Sequence, residues 1–336
     1  MIKRNLYLVP NSIVVTRGCP FHCSFCYKDA FFKGGKSFYT QRVDEALREI
    51  DRLPGKHLYF LDDHLLGHRK FASELFAGMR GMNRLFQGAA TVDSILRGNL
   101  IEQASDAGLR SLFVGFESVN AQNHLVTDKT QNLNRDYDNV VKRLDDLGIM
   151  INGSFVFGLD HDKPDVFDKT VDWAVSQGIT TATFHIATPY PGTKYYAQLD
   201  KSNRIVTSNW NYYDTRHVVF KPKHMDRNTL ESGYHRSYKN FYSWQNISRA
   251  SFQHRSVKHR LKHFAYATGW RKFEPLWDAV IRVKRLQYMT PMLEGVLSKV
   301  TRTERWSPII GQPKDDMSAF LHYSGEKFNE KETKIA

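Results

Sequence analysis

The sequence predicts an α/β fold: a parallel barrel of six strand–helix units that stays partly open, followed by a helical and basic C-terminal region. From residue 13 to about residue 200, short apolar runs alternate with longer amphipathic runs, as expected of repeated strand–helix units. Parallel units of this kind connect right-handedly, which curves the sheet. A full barrel of eight units takes about 250 residues, so six units fit into this length.

Apolar runs that end at turn-forming or charged residues define the six strands. These strands are predicted at residues 12–16, 57–61, 88–92, 111–116, 150–157 and 180–187. The intervening helices are predicted at residues 40–53, 68–86, 99–108, 134–148 and 162–178. Val43, Leu47 and Ile50 share one face of the first helix, as a buried stripe requires. Asp162 and Pro164 are typical of a helix start and place the beginning of the fifth helix.

Length and composition set the organisation of the chain. Its 336 residues, 41% of them apolar, are enough to bury a core. The chain has no run of about 18 apolar residues and no apolar secretory signal at its start, which predicts a cytoplasmic protein. We expect the barrel at residues 1–205, a lid and basic helical region at residues 206–306, and a loosely ordered tail at residues 307–336.

The net charge of +13 is concentrated in the C-terminal region. Residues 221–306 hold 18 Lys and Arg against 6 Asp and Glu, whereas the rest of the chain is nearly neutral. A helix predicted at residues 274–289 has one apolar and one basic face. Three interpretations stay open: ordinary surface helices, association with a membrane through anionic lipid, and RNA binding. Nucleic acid ranks last because no nucleic-acid motif is present.

The segment RGCPFHCSFCY, residues 17–27, holds all three cysteines of the chain, Cys19, Cys23 and Cys26. Three thiolates on one short loop suit an iron–sulfur cluster. A cubane has four irons, so three protein thiolates leave one iron open to a substrate or cofactor. Zinc is the competing metal, but a structural zinc site needs four ligands, and only His22 is near enough in sequence to be the fourth.

With Phe25 just before the third cysteine and Tyr27 just after it, this loop resembles the signature loop of the radical S-adenosylmethionine (SAM) superfamily. The resemblance implies a four-iron, four-sulfur (4Fe–4S) cluster whose open iron binds SAM. It also implies that an electron from a donor such as flavodoxin or ferredoxin cleaves SAM to a 5′-deoxyadenosyl radical. Phe25 would lie near the adenine, and Tyr27 would belong to the same cofactor site.

The motifs at the ends of the predicted strands narrow the resemblance to one subgroup of the superfamily. In open α/β sheets and barrels, ligands gather at the carboxyl ends of the strands. Here the strand-end motifs FLDDHLLG, GFESVN, GSFVFGLDHD and TPYPGT resemble the subgroup that often carries an N-terminal cobalamin-binding domain. The similarity covers about residues 7–225. The chain begins where that domain would have ended, so cobalamin is not expected within this chain, and His64 stands where the subgroup commonly has asparagine.

Six further residues are candidates for contact with SAM, each with a structural alternative. Glu117 and Ser118 end an apolar strand, where an unpaired carboxylate would be costly to bury, so Glu117 should have a cationic or hydrogen-bonding partner. Asp62 is an even choice between contacting SAM and a structural role, either capping the next helix or orienting a loop backbone. The weaker candidates, each of which also suits close packing or a rigid turn, are Ser154, Pro189 and Gly192.

Other polar residues are set aside as structural. Isolated histidines on different elements are more often satisfied structural residues than ligands, and we treat His22, His57, His64 and His185 in that way. Tyrosines between Tyr190 and Tyr213 fit a substrate channel and packing under a lid equally well. The sequence identifies no catalytic residue beyond the cofactor ligands.

The cysteine count limits the chemistry. Auxiliary clusters, sulfur insertion and methylthiolation need further cysteines, and none remain. The favoured hypothesis is hydrogen abstraction from a small or lipid-like metabolite in a biosynthetic pathway. The alternatives are an RNA-modifying enzyme of the same superfamily and a non-catalytic metal-binding protein that docks on membrane or nucleic acid.

Overall fold

Six parallel strands form the central sheet of the computed structural model, which describes residues 11–32, 38–132 and 136–282. Two further short strands, β2 and β3, pair antiparallel with each other. The strands in chain order are β1 (Ser12–Ile13), β2 (Thr16–Gly18), β3 (Phe38–Thr40), β4 (His57–Phe60), β5 (Leu85–Thr91), β6 (Leu109–Glu117), β7 (Met150–Phe157) and β8 (Thr181–Ile186). The order β1-β4-β5-β6-β7-β8 confirms the predicted parallel α/β sheet of six strands.

Helices connect these strands and continue past the sheet. They are α1 (Tyr27–Phe31), α2 (Val43–Arg52), α3 (Arg69–Met79), α4 (Val92–Leu96), α5 (Leu100–Ala107), α6 (Ala121–Val126), α7 (Tyr137–Asp146), α8 (Val166–Ser176), α9 (Lys194–Lys201), α10 (Arg227–Phe241), α11 (Trp244–Gln253) and α12 (Val257–Arg282). In the part of the chain that the structure describes, none of these helices has the length and apolar character needed to cross a membrane.

Three predicted boundaries are wrong. The helix predicted at residues 68–86 ends at Met79, and Leu85 already belongs to β5. Gly81 and Asn83 adopt positive φ angles of 85° and 53°, which a continuing helix does not allow. The strand predicted at residues 12–16 is divided into β1 and β2. Asp162 does not start the fifth helix either, because α8 begins at Val166.

Aromatic side chains fill the space between the sheet and the helices. Phe116, Phe155 and Phe184 come from neighbouring strands and stack in sequence, with ring centroids 5.7 Å apart in each pair. Trp173 of α8 meets the first two rings edge-on, at 5.2 and 6.0 Å. Such offset and edge-on contacts add to the apolar burial of each ring. The outer face of the sheet is therefore the packed core, which leaves the inner face for other groups.

The free edge of β8 is closed by Tyr238 of α10 and by Tyr242, the residue that follows this helix. The Tyr238 hydroxyl accepts a hydrogen bond from the Phe184 N–H and donates one to its carbonyl, at 3.0 and 3.1 Å. The Tyr242 hydroxyl does the same for Ala182, at 3.1 and 3.0 Å. Four residues of helix rise about 6 Å and two residues of strand about 6.6 Å, so the two spacings match. An edge that could pair with another strand is thereby covered.

The region after the sheet returns to the same core. Val206 donates to the Val219 carbonyl at 3.0 Å, and Ile205 bridges Phe220 antiparallel, so the segment between them is a loop closed at its base. Buried residues of α10 and α11 belong to the hydrophobic cluster of the barrel. The division into domains stays a prediction. The side chains of the amphipathic helix predicted at residues 274–289, and the whole predicted tail, lie outside the described residues.

Candidate active site

The cysteine loop is held at the carboxyl end of the sheet by Asp62, the first of two aspartates that follow β4. The Asp62 carboxylate accepts hydrogen bonds from the Val15 N–H at 3.2 Å, from the Thr16 hydroxyl at 2.5 Å and from the Thr16 N–H. Asp62 is buried, and burial raises its pKa to about 6 against these donors. Its hydrogen bonds show the loop-orienting role that the sequence left open. Contact between Asp62 and SAM stays a prediction.

The second aspartate, Asp63, fixes the loop on both sides of its first cysteine. It accepts a hydrogen bond from the Gly18 N–H at 3.1 Å and forms an ion pair with Lys28 at 3.2 Å. Gly18 adopts a φ of 85°, which a glycine reaches without strain. The two aspartates therefore hold the backbone that enters the loop and the first turn of α1 that leaves it.

Ser24, in the middle of the loop, ties it to two other elements. Its N–H donates to the Thr127 carbonyl and its carbonyl accepts from the Tyr195 N–H, both at 2.9 Å. Thr127 follows α6, and Tyr195 lies in the first turn of α9. Phe25 packs against the core, whereas Tyr27 is exposed. The predicted contacts of these two rings with SAM stay predictions.

The three cysteines are free thiols grouped on this loop. Cys23 is buried, and the other two are partly exposed. Burial is the main cause that raises the pKa of Cys19 to about 11; the charges of Cys23 and Cys26 contribute to the rise, and that of Lys28 opposes it. Among the described residues, no three His, Cys, Asp or Glu side chains could together hold a single metal ion. A cubane makes a different demand, because each thiolate binds a separate iron.

Glu117 ends β6 in a strained conformation. Its φ is +63°, and the β6–β7 register shifts between Gly115 and Glu117, as at a β-bulge that re-aims a side chain. The carboxylate forms an ion pair with Lys129, and the two side chains are only 13% and 6% exposed. A Cβ at Gly115 would come within 2.6 Å of a Glu117 carboxylate oxygen and 3.0 Å of the Lys129 amine, so a larger residue there would make these side chains shift. The predicted cationic partner of Glu117 is confirmed, whereas its contact with SAM stays a prediction.

The segment that supplies Lys129 also reaches the cysteines, which the sequence did not suggest. Gln131 Nε2 lies 3.3 Å from Cys23 Sγ and donates to it. Burial raises the pKa of Cys23, and the positive charge of Lys129 and this hydrogen bond oppose the rise. Such donors stabilise a thiolate, the form that binds iron. The sequence indicated only that Glu117 needs a partner. Nothing in the residue spacing indicated that Gln131 would lie beside Cys23.

Ser118 and the loop after β7 form one polar network. The Ser118 hydroxyl accepts from the Asn120 N–H at 3.1 Å and from Asn123 Nδ2 at 3.0 Å. Asn123 Nδ2 also donates to Asp162 at 2.7 Å, and Asp162 accepts from the Gly158 N–H at 2.9 Å. This network links the ends of β6 and β7. The Ser118 hydroxyl therefore has structural partners, and its contact with SAM stays a prediction.

The inner face of the sheet carries small and polar side chains. One row across four strands is Thr91, Gly115, Ser154 and Thr183. Within the described residues, the buried side-chain oxygens of Thr183 and of Asn152, in the row below, have no hydrogen-bond partner. Buried polar groups are normally satisfied, so these oxygens mark places where a ligand or water can bind. Ser154 is buried on this face beside them, and its contact with SAM stays a prediction.

The TPYPGT turn after β8 packs against α1, the helix that follows the cysteine loop. Pro189 is buried, and Gly192 has a φ of 85°. A Cβ at Gly192 would lie 3.1 Å from the Ala30 Cβ of α1, so this turn approaches the helix that follows the cysteines. Thr193 then caps α9 by accepting from the Tyr196 N–H at 3.1 Å. The turn therefore makes the packing contacts expected of a rigid turn, and its contact with the adenine of SAM stays a prediction.

His64, which the sequence interpretation set aside, lies beside the cysteine loop. Its ring stacks on Phe21 with centroids 5.9 Å apart, and its Nε2 is 3.4 Å from the Thr91 hydroxyl. Burial lowers the pKa of His64 to about 3, helped by the charges of Lys28 and Lys129. The imidazole is therefore neutral at physiological pH. The only sequence signal for His64 was that this histidine stands where the resembling subgroup commonly has asparagine.

Comparison with known proteins agrees with this geometry. Residues 13–174 match the family model described as the radical SAM superfamily. The chain is therefore similar to radical SAM proteins over about half of its length. A curated relative, bacteriochlorophyllide d C-12(1)-methyltransferase of Chlorobaculum tepidum, is 32% identical over 227 residues, which cover 66% of this chain and 48% of that protein.

Two more comparisons extend the likeness. Anaerobic magnesium-protoporphyrin IX monomethyl ester cyclase of Cereibacter sphaeroides is 25% identical over 81% of this chain and 45% of that protein. The chain thus spans about half the length of the curated relatives it matches. The solved structure of the cobalamin-dependent SAM radical enzyme OxsB covers 78% of this chain and 46% of its own, with a TM-score of 0.53 and 14% identity. That similarity concerns the fold alone.

Proposed function

We propose that this chain uses a 4Fe–4S cluster bound by Cys19, Cys23 and Cys26 to cleave SAM reductively and to start hydrogen abstraction from a small-molecule or lipid-like substrate of a biosynthetic pathway. The observation that carries the proposal is the position of the cysteine loop. It is fixed at the carboxyl end of the sheet, above an inner face with buried oxygens that lack partners among the described residues. When bound, the cluster supplies one electron, which breaks a carbon–sulfur bond of SAM.

The residues of the chain prepare this chemistry. Asp62 and Asp63 hold the loop backbone, so the thiolates are positioned before the cluster binds. Lys129 and Gln131 favour the thiolate form of Cys23. Glu117 and Ser118, at the end of β6, and Ser154, in β7, are the proposed contacts of SAM inside the barrel. The aromatic residues near the adenine would be Phe25 and Tyr27, with the turn at Pro189 and Gly192 on the other side.

The substrate class rests on the names of the relatives. Two curated relatives are named for modifying bacteriochlorophyllide and for cyclising a magnesium-protoporphyrin ester, which makes tetrapyrroles the first substrates to test. The proposal assigns the cluster and SAM to this chain and assigns no cobalamin to the described residues. The electron donor would be a flavodoxin or a ferredoxin.

The test is anaerobic reconstitution of the full chain with iron and sulfide. We expect one 4Fe–4S cluster per chain, an electron paramagnetic resonance signal after reduction, and 5′-deoxyadenosine and methionine from SAM. Cys23→Ala should abolish the signal and both products. Bound zinc with no iron after reconstitution would refute the proposal.

A second variant separates SAM binding from cluster binding. Glu117→Gln should keep the iron content and weaken SAM binding roughly ten- to a hundredfold, the effect of losing one charge-assisted hydrogen bond. Glu74→Gln, on the exposed side of α3, is the matched control and should bind SAM as the unmodified chain does. An unchanged dissociation constant for Glu117→Gln would limit that residue to its ion pair with Lys129.

A further inference from the structure

Helices α11 and α12 expose a set of large apolar side chains. Val257 and Leu261 are 66% and 67% exposed, and Phe264 is 40% exposed. Their spacing of four and three residues places them on one face of α12. Phe264 stacks on Trp244 of α11, with centroids 6.2 Å apart, which extends this face onto the neighbouring helix. We define the apolar strip as Trp244, Phe252, Val257, Leu261 and Phe264.

The strip lies in a stretch that has cations and no acids. Residues 232–273 contain nine Lys and Arg and no Asp or Glu. Two of these cations cover rings of the strip: the Arg260 guanidinium lies 5.6 Å from the Phe252 ring, and that of Arg271 lies 4.8 Å from Trp244. Lys258 is exposed next to Val257. Apolar tips flanked by cations are the pattern of a helix that lies in the interface of an anionic membrane.

Packing holds the strip in place while leaving it exposed. His263 and Ala267, on another face of α12, are buried. His254 joins this helix to the barrel, because its ring nitrogens lie 2.6 Å from an Asp145 oxygen and 2.9 Å from His263 Nδ1. These histidines line a cavity with Met150 and Thr180, where β7 and β8 begin. The base of α12 is therefore attached at the end of the strands opposite to the cysteine loop.

Nucleic acid is the other partner with acidic groups, and the strip does not suit it. Single-stranded nucleic acid binds through bases that stack on aromatic faces. Here guanidinium groups already lie over the rings of Phe252 and Trp244. The most exposed tips of α12 are the aliphatic side chains of Val257 and Leu261, which offer no stacking surface. Aliphatic tips lose contact with water when they enter lipid.

We propose that the apolar strip and its flanking cations dock this chain on membranes with anionic headgroups. The proposal goes beyond the radical chemistry and does not depend on it, because the strip is remote from the cysteines and needs neither cluster nor SAM. Vesicle binding and cluster reconstitution are therefore scored independently, and either one can fail without the other.

The experiment is sedimentation of the full-length chain with vesicles of phosphatidylcholine alone and of phosphatidylcholine with about one third phosphatidylglycerol. We expect binding to the acidic vesicles that weakens as salt is raised. Val257→Ser combined with Leu261→Ser should lower the partition coefficient about tenfold or more, because two exposed apolar anchors are lost. Leu125→Ser combined with Val126→Ser, at exposed positions of α6, is the matched control and should leave vesicle binding unchanged.

Each other outcome overturns the proposal. If the full chain does not bind acidic vesicles, the strip is covered or serves another contact. If the Val257/Leu261 variant binds acidic vesicles as well as the unmodified chain, the cations act alone and the strip is not an anchor. Tight binding of single-stranded RNA at physiological salt, without vesicle binding, would assign the surface to nucleic acid.

Discussion

Two regions of the molecule contain buried polar groups that need hydrogen-bond or ionic partners, and they obtain these partners by different means. One is the rim, by which we mean Asp62, Glu117, Lys129 and Asp162 near the carboxyl ends of the strands. The other is the free edge of β8. At the rim, buried charges supply the partners: Asp62 binds the backbone before the loop, and Glu117 pairs with Lys129. At the edge, neutral hydroxyls supply them: Tyr238 and Tyr242 each serve one N–H and one carbonyl of β8. Buried charges therefore hold the region around the cysteine loop, and neutral hydroxyls hold the sheet edge.

The difference has a thermodynamic consequence. A buried charge is stable only with its partner, so deleting one member costs more than the pair contributes. Its ionisation also couples stability to pH. A tyrosine hydroxyl that serves backbone groups stays neutral between pH 5 and pH 8 and loses only its own hydrogen bonds when deleted. The rim should therefore be the sensitive region and the edge the tolerant one.

The largest effect is expected at the buried ion pair. Lys129→Met leaves the Glu117 carboxylate buried without a cation and should lower the free energy of unfolding by about 3–5 kcal/mol. Lys194→Met is the matched control, since Lys194 and Asp128 pair at 3.4 Å but are 61% and 51% exposed, and its cost should not exceed about 1 kcal/mol. Urea unfolding of the two variants decides this. Equal losses of unfolding free energy in the two variants would contradict the expectation that Glu117 depends on Lys129.

The aspartates at the cysteine loop should differ from each other. Asp62→Ala removes the acceptor of two backbone N–H groups and one hydroxyl and should cost about 2–4 kcal/mol. Asp63→Ala breaks a pair whose side chains are 17% and 30% exposed, and we expect about 1 kcal/mol. Iron content after reconstitution should also fall further in the Asp62 variant. The opposite order would show that Lys28, rather than the entering backbone, fixes the loop.

A smaller effect is expected at the β8 edge. Tyr242→Phe leaves the Ala182 N–H and carbonyl without their partner and should cost about 1–3 kcal/mol. The loss should be the same at pH 5.5 and pH 7.5, because no charge is involved. Tyr266→Phe, at an exposed position of α12, is the control and should change nothing measurable. If the loss of unfolding free energy varies with pH, the β8 edge does not differ from the rim in its pH dependence.

The smallest effect is a pH dependence at Asp162. Burial raises the pKa of Asp162 to about 6, above its ordinary value of 3.8. Between these pH values the native chain keeps a proton that the unfolded chain has released. The contribution of Asp162 to the free energy of unfolding is therefore complete below about pH 4 and is lost as the pH rises through 6. About 1 kcal/mol of it is lost between pH 5 and pH 6.

Asp162→Asn should remove this part of the slope, because an amide does not titrate in this range. Unfolding curves at pH 5 and pH 6 measure it as a difference between the variant and the unmodified chain. Tyr242→Phe is the comparison variant and should keep the full slope. If all three proteins show one slope, the rim carboxyl at Asp162 does not titrate in this range.

The sequence was accurate where the information is local. Alternating apolar runs place six strands, because a buried strand and an amphipathic helix each impose a short-range pattern. The Cys19, Cys23 and Cys26 spacing identifies the loop in the same way, and the strand ends identify the rim. The helix predicted at residues 68–86 was too long because its apolar pattern continues past Gly81, where the backbone turns.

Only the tertiary structure decided which groups meet. Gln131 lies 108 residues from Cys23, and Tyr242 lies 60 residues from Ala182. Glu117 required a partner, and the bulge at the end of β6 together with the turn after α6 chose Lys129. The physical reason is that a local pattern fixes which face of an element is buried. Contacts between distant elements depend instead on sheet order, loop paths and packing, which no short window of sequence contains.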